Sequence, residues 1–183
     1  MEPLRIIQKY YKNGSLSYRI LVNHSLKVKA KALEVAARYK QLHPETRLDM
    51  QFIGEAAMLH DIGIFLTYAP RIGCHGEEPY VKHGILGAEL LRKEGLPRHA
   101  IVCERHVGVG LTKKEIREQE IPLPEKDFSP VSLEEKIISF ADKFFSKLDK
   151  KEHTIEEIRK EYSHYGPDEV KRFDEWLRLF DYL

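Results

Sequence analysis

The sequence predicts an all-α fold of around seven helices. Apolar residues recur at three- and four-residue intervals along most of the chain, capping residues stand ahead of those runs, and no segment alternates as a half-buried strand would. In residues 17–42, "SYRILVNHSLKVKAKALEVAARYKQL", His24, Val28, Ala32, Val35, Tyr39 and Leu42 form one stripe. Lys27, Lys29, Lys31, Glu34 and Arg38 fall outside it, and Pro44 closes the helix. Asp49 is the expected N-cap of "MQFIGEAAMLHD", with Gly63 as its C-cap. "YVKHGILGAELLRKEG" carries His83 in its first turn and closes at Gly95. Pro97 opens "PRHAIVCERH", which puts His106 in its last turn before the glycines of "VGVG".

Residues 107–130 are the least regular part, with one short helical piece marked by a Thr112–Glu115 capping box. Loops of this length usually serve a purpose, and this one is a candidate lid. Ser132 should cap "LEEKIISFADKFFSKL", with Ile138, Ala141, Phe145 and Leu148 facing inward and Asp142 within their stripe. Thr154 and Glu157 mark a further capping box. A last amphipathic helix in "GPDEVKRFDEWLRLF" faces inward through Val170, Phe173, Leu177 and Phe180, and packs on the core or covers a homodimer interface.

The bulk numbers narrow the function. The 183 residues suit one domain, and 42% hydrophobic with 32% charged residues is a globular composition. Lys and Arg number 30 against 29 Asp and Glu, a formal net charge of +1, so no global field draws in a large nucleic acid or an anionic membrane. Two cysteines make no disulfide framework, the first residues lack the apolar core of a signal peptide, and no apolar run reaches the roughly 20 residues that span a bilayer. These features lead us to expect a soluble cytoplasmic protein.

Separate helices set a histidine or carboxylate where the pattern expects a core residue or a helix end: His24, His60 with Asp61, His106 and Asp142, with His83 at a further helix start. A lone buried carboxylate costs several kcal/mol on the order-of-magnitude scale of such burials, so it needs partners, and ligands converging from separate helices are how bundles hold metal ions. Adjacent residues on a helix point about 100° apart and would not normally meet at one ion. Two ions resolve this if Asp61 at a helix end bridges them and His60 binds one.

The ordered set His24, His60–Asp61, His83, His106, Asp142, with "LHDIG" at its centre, resembles the H…HD…H…H…D signature of HD-domain metal-dependent phosphohydrolases, and most of all their small stand-alone members. The resemblance implies a single HD domain over 1–183, with a core of about 20–148 and a helical extension over 149–183. It also implies that His24, His60, Asp61 and Asp142 hold one metal, and that His83 and His106 share bridging Asp61 around a second. The cofactor would be two divalent transition-metal ions; four imidazoles in the set favour Fe, Mn, Co, Ni or Zn over calcium. The expected reaction is hydrolysis of a phosphoester or phosphoanhydride bond in a small, nucleotide-like substrate by a bridging hydroxide, with Asp61 as the catalytic residue that positions it. Small relatives with this pattern include diadenosine tetraphosphate hydrolases. Two alternatives stand beside this: a mixed-valent di-iron oxygenase, and a non-catalytic domain that binds nucleotides or partners. Ile64 departs from the lysine that many relatives carry after HDIG, and no "GYP" occurs, which argues against the cyclic dinucleotide branch.

Lesser candidates have plainer explanations. His99 should lie at the surface, as should His43, His153 and His164. His75 with Arg71 or Lys82 could reach the mouth of the site, Lys27 could rim it, and Cys74 and Cys103 carry no nucleophile motif. A cluster left empty and plugged by a neighbouring basic group would end the metal reading.

Overall fold

The computed structural model describes residues 1–149 and 151–183. It is helical, with nine α-helices among the described residues: α1 (Pro3–Tyr10), α2 (Leu16–Leu42), α3 (Met50–Leu59), α4 (His83–Lys93), α5 (Pro97–Arg105), α6 (Lys113–Glu118), α7 (Leu133–Asp142), α8 (Ile155–Tyr162) and α9 (Pro167–Leu179). The anticipated N-terminal caps at Asp49, Thr112, Ser132 and Thr154 form, and Ser15 caps α2 in the same way. Ser15, Asp49, Thr112, Ser132 and Thr154 each accept a backbone N–H three residues on, and the last three close full capping boxes.

Four expectations need correction. α1 was not anticipated: eight residues are too few to hold a helix by propensity alone, and Ile7, fully buried, fixes it against the body. Gly63 is not a C-cap. α3 stops at Leu59, and a 3-10 turn over Ile62–Leu66 follows. α7 ends at Asp142, so Leu148 is not inward-facing but 50% exposed, and Leu42 at the end of α2 is 51% exposed. Finally, a minimal antiparallel hairpin, β1 (Tyr68–Ala69) with β2 (Cys74–His75), lies between α3 and α4 and pairs Tyr68 with His75.

Apolar packing divides into two clusters. One joins Val28, Ala32 and Val35 of α2 to Ala57, Ile138, Phe140, Phe173 and Leu177. The other joins Ile7, Tyr11, Leu21, Leu59, Ile62, Leu91 and Cys103. Along α2, Leu21 belongs to one and Val28 to the other, with buried His24 between them. Along α3, Ala57 and Leu59 divide in the same way just ahead of His60 and Asp61. The polar cluster therefore sits at the seam, where neither apolar group closes the space.

Candidate metal centre

Glycine explains how the elements come so close. A Cβ on Gly63 would lie 2.3 Å from the His83 carbonyl oxygen and 2.4 Å from the Gly87 nitrogen, and one on Gly87 would lie 2.4 Å from the Cys103 sulfur. Only bare backbone lets the turn after His60–Asp61 lie against α4, and α4 against α5. Tyr11 locks the same turn: its hydroxyl donates to the Ile62 carbonyl at 2.8 Å and accepts from the Phe65 N–H at 3.2 Å. The Cys103 thiol donates to the His60 carbonyl at 2.9 Å.

Three histidines are aimed by one local device. Nδ1 of His60, His83 and His106 each lies 2.7 Å from the carbonyl three residues earlier, on Ala57, Tyr80 and Cys103 respectively. A carbonyl only accepts, so Nδ1 is the donor and Nε2 faces inward, the orientation expected of ligating imidazoles. His24, held between helices, turns its Nε2 to the same centre.

Asp61 stands at that centre, fully buried, and its two oxygens divide the site. Oδ2 lies 3.2 Å from His24 Nε2 and 3.1 Å from His60 Nε2, while Asp142 Oδ1 approaches the same two nitrogens at 2.9 and 3.3 Å. Oδ1 lies 3.3 Å from His83 Nε2 and 3.4 Å from His106 Nε2. The structure thus brings together all six residues of the sequence pattern in two sets, His24–His60–Asp61–Asp142 and Asp61–His83–His106, with the donor atoms of each set within 4.8 Å of one another. Ligands about 2.0–2.2 Å from one ion lie roughly 3–3.5 Å apart around a tetrahedron, so these spacings fit divalent transition metals.

The electrostatics agree. His60 Nε2 and both Asp61 oxygens are buried without an aligned hydrogen bond. Nε2 of His83 and of His106 face each other at 3.0 Å. Burial lowers both imidazoles, His83 to about 3 against the pull of Asp61, so both are neutral and two lone pairs point into one space. A cation suits such a gap. Burial opposes charge on His60 as well, but Asp61 and Asp142 outweigh it and raise it to about 9. Burial would also push the two carboxyls up; Lys147 and His60 instead hold Asp61 well below the usual range, and Lys143 and His24 do so for Asp142.

Two lysines that the sequence reading missed also reach the cluster. Lys147 Nζ lies 2.6 Å from Asp61 Oδ2, and Lys143 Nζ lies 2.8 Å from Asp142 Oδ2 and donates to the His106 carbonyl at 3.3 Å. Their one signal is the spacing "DKFFSK", one and five residues after Asp142, inside the segment expected to be a single amphipathic helix. Lys147 is a basic group on the cluster, but it does not plug it. It meets one oxygen of Asp61 as an ion pair, leaves the His83–His106 side open, and a single ammonium cannot serve four imidazoles.

Other candidates lie elsewhere. His99 is buried rather than at the surface: its ring packs edge-on against Phe52, and Nε2 lies 3.4 Å from Glu55, an α3 carboxylate that its own helix phase could not reveal. His75 is exposed on β2, Lys82 pairs with Glu78, and the Lys27 ammonium lies over the Phe145 ring. Arg71 does line a cavity beside the site. Both cysteines are buried, and burial raises their thiols, Cys74 to about 11. Residues 107–130 are tied down rather than loose. Glu115 pairs with Arg172 of α9 at 2.6 Å, Lys126 pairs with Glu104 at 2.6 Å, and the Phe128 N–H bonds the Leu111 carbonyl.

The profile of the HD domain matches residues 21–146, which enclose all six residues of the His and Asp pattern. The chain belongs to the HD-domain family. This HD domain is 39% identical over 123 residues to an uncharacterized protein of Methanocaldococcus jannaschii, covering 67% of the chain and 64% of that protein. It is also similar to tRNA (cytidine(56)-2'-O)-methyltransferases. The identity is 28% over 170 residues for that of Thermoplasma volcanium, covering 91% of the chain and 44% of the relative, and 35% over 99 residues for that of Picrophilus torridus, covering 54% and 25%. The chain spans less than two thirds of the length of each of these relatives. No solved structure matches it significantly. No helix among the described residues is long and apolar enough to cross a membrane.

Proposed function

We propose that this HD domain is a metal-dependent phosphohydrolase acting on a small, nucleotide-like phosphorylated substrate. The observation that carries the reading is the division of Asp61, with one oxygen facing His24 and His60 and the other facing His83 and His106. His24, His60, Asp61 and Asp142 would hold one divalent ion, and Asp61, His83 and His106 a second. Two such ions lower the pKa of a shared water and neutralise charge building on a phosphoryl group.

The chain's own residues do the rest. The carbonyl-pinned imidazoles keep the donor set pre-formed, so little reorganisation accompanies ion uptake. Asp61 fixes the spacing between the two half-sites. Lys143 and Lys147 add positive charge where a phosphate would sit, a role that Ile64 cannot take. The chain spans less than half the length of each methyltransferase, so their methyl transfer is not carried over to it.

The test is metal analysis of protein purified without chelators, followed by a phosphatase and phosphodiesterase screen under anaerobic conditions with Mn, Co, Ni, Fe and Zn added back. About two ions per chain with anaerobic hydrolysis is the expected result. Consumption of dioxygen without hydrolysis would replace this reading with the di-iron oxygenase. Partner or nucleotide binding with no bound ion would replace it with the non-catalytic domain.

A further inference from the structure

Two cavities open beside the cluster. One, of about 620 Å³, is walled by Tyr68, Pro70, Arg71 and Phe145. The other, of about 340 Å³, is walled by His83, His106, Val109, Leu111 and Tyr165. Each is large enough for a small organic group. They share Tyr80, Asp142, Lys143, Lys147, Glu161 and Tyr162, so they adjoin at the edge of the candidate metal centre itself. A phosphomonoester has one organic group and would leave one cavity unused.

Resting on the phosphohydrolase reading, we infer that the substrate carries an organic group on each side of the phosphate: a phosphodiester or a disubstituted phosphoanhydride, not a monoester. Its phosphate lies over Lys143 and Lys147, with one group in each cavity. The ammonium groups suit this position. Lys143 already pairs with Asp142 and the His106 carbonyl, and Lys147 with Asp61, so both are held at the rim and an anion can share them. The larger cavity offers tyrosine rings and aliphatic side chains to a planar group. The smaller, with both imidazoles in its wall, takes the group nearer the reacting centre. Lys147, Glu161, Tyr162 and Tyr165 lie beyond residues 21–146, so part of the shared lining and of the second wall comes from outside the family match.

The probes are bis(4-nitrophenyl) phosphate and 4-nitrophenyl phosphate, titrated calorimetrically into the full chain after chelator treatment, so that binding is read without turnover. The diester should bind at least about tenfold tighter, although the monoester carries more charge. Ser146→Trp in the larger cavity and Gln119→Trp in the smaller should each reduce diester affinity about tenfold, and only one of them should affect the monoester. Lys147→Gln should weaken both probes alike. If a Trp variant does not fold, ring NMR signals of the unaltered chain decide: the diester should shift both Tyr68 and Tyr165, and the monoester only one. Equal affinities, or a diester affinity that neither Trp changes, would overturn the inference. Tight diester binding with no hydrolysis on any added ion would sustain it and overturn the phosphohydrolase reading. Hydrolysis confined to monoesters, without diester preference, would do the reverse.

Discussion

The two sides of Asp61 are built from the same kind of imidazole but differ in charge. On the Oδ2 side, His24 and His60 share the space with a second carboxylate, Asp142, and with Lys147. On the Oδ1 side, His83 and His106 have only the shared oxygen, and their nitrogens confront each other. The first side offers a dication two negative charges and the second one. The first should therefore hold its ion through conditions that empty the second, even though Lys147 competes there for one oxygen. On the two-ion reading proposed above, one side would retain its ion and the other would exchange it.

The largest effect is expected where the comparison collapses. Asp61→Ala removes the ligand common to both sides, so bound metal should fall from about two ions per chain to fewer than one. Hydrolysis should drop more than about a thousandfold, as for loss of a central electrostatic group; full activity would contradict the bridging role. Next comes Gly63→Ala, which drives a methyl group into the His83 and Gly87 backbone and separates the two sides physically. A cost of about 3 kcal/mol or more is expected for such forced overpacking, read as a lowered denaturation midpoint. His83→Ala sharpens the asymmetry. It should leave about one ion bound and lower activity about 10–100-fold, whereas His24→Ala should release the tighter ion, as metal titration would show.

The smallest effect concerns the wall over the exchangeable side, where Glu115 ties α6 to Arg172 of α9. Burial would raise this carboxyl, but the Thr112 hydrogen bonds and Arg172 outweigh it and lower it below the ordinary value. Its contribution is therefore present above the unfolded glutamate value of about 4.3 and is lost as pH falls through the lowered folded value. Glu115→Gln should cost under about 1 kcal/mol near neutral pH and should flatten the acid limb of the stability profile.

What could be read from the chain follows how local each feature's cause is. Caps at Asp49, Thr112, Ser132 and Thr154 are decided within four residues and were legible. His24 and Asp142 stood out because a polar side chain interrupted an apolar stripe. Gly63 was misread because its purpose is a close approach to α4, a tertiary contact with no trace in the neighbouring sequence. His99 was misplaced because its partner, Glu55, sits on another helix. The lysines escaped because α7 stops at Asp142, so Lys147 no longer follows helical phase and can turn back onto Asp61. α1 escaped because packing, not propensity, holds it.

His24 and Asp142 meet at 2.9 Å although 118 positions of chain separate them. A cation seated between them would act as a removable cross-link closing most of the polypeptide into a loop, and ligand binding of this kind adds to folding free energy. Stripping it with a chelator would leave the fold standing at room temperature but lower the temperature at which it unfolds, so that thermal endurance would itself report on the metal supply.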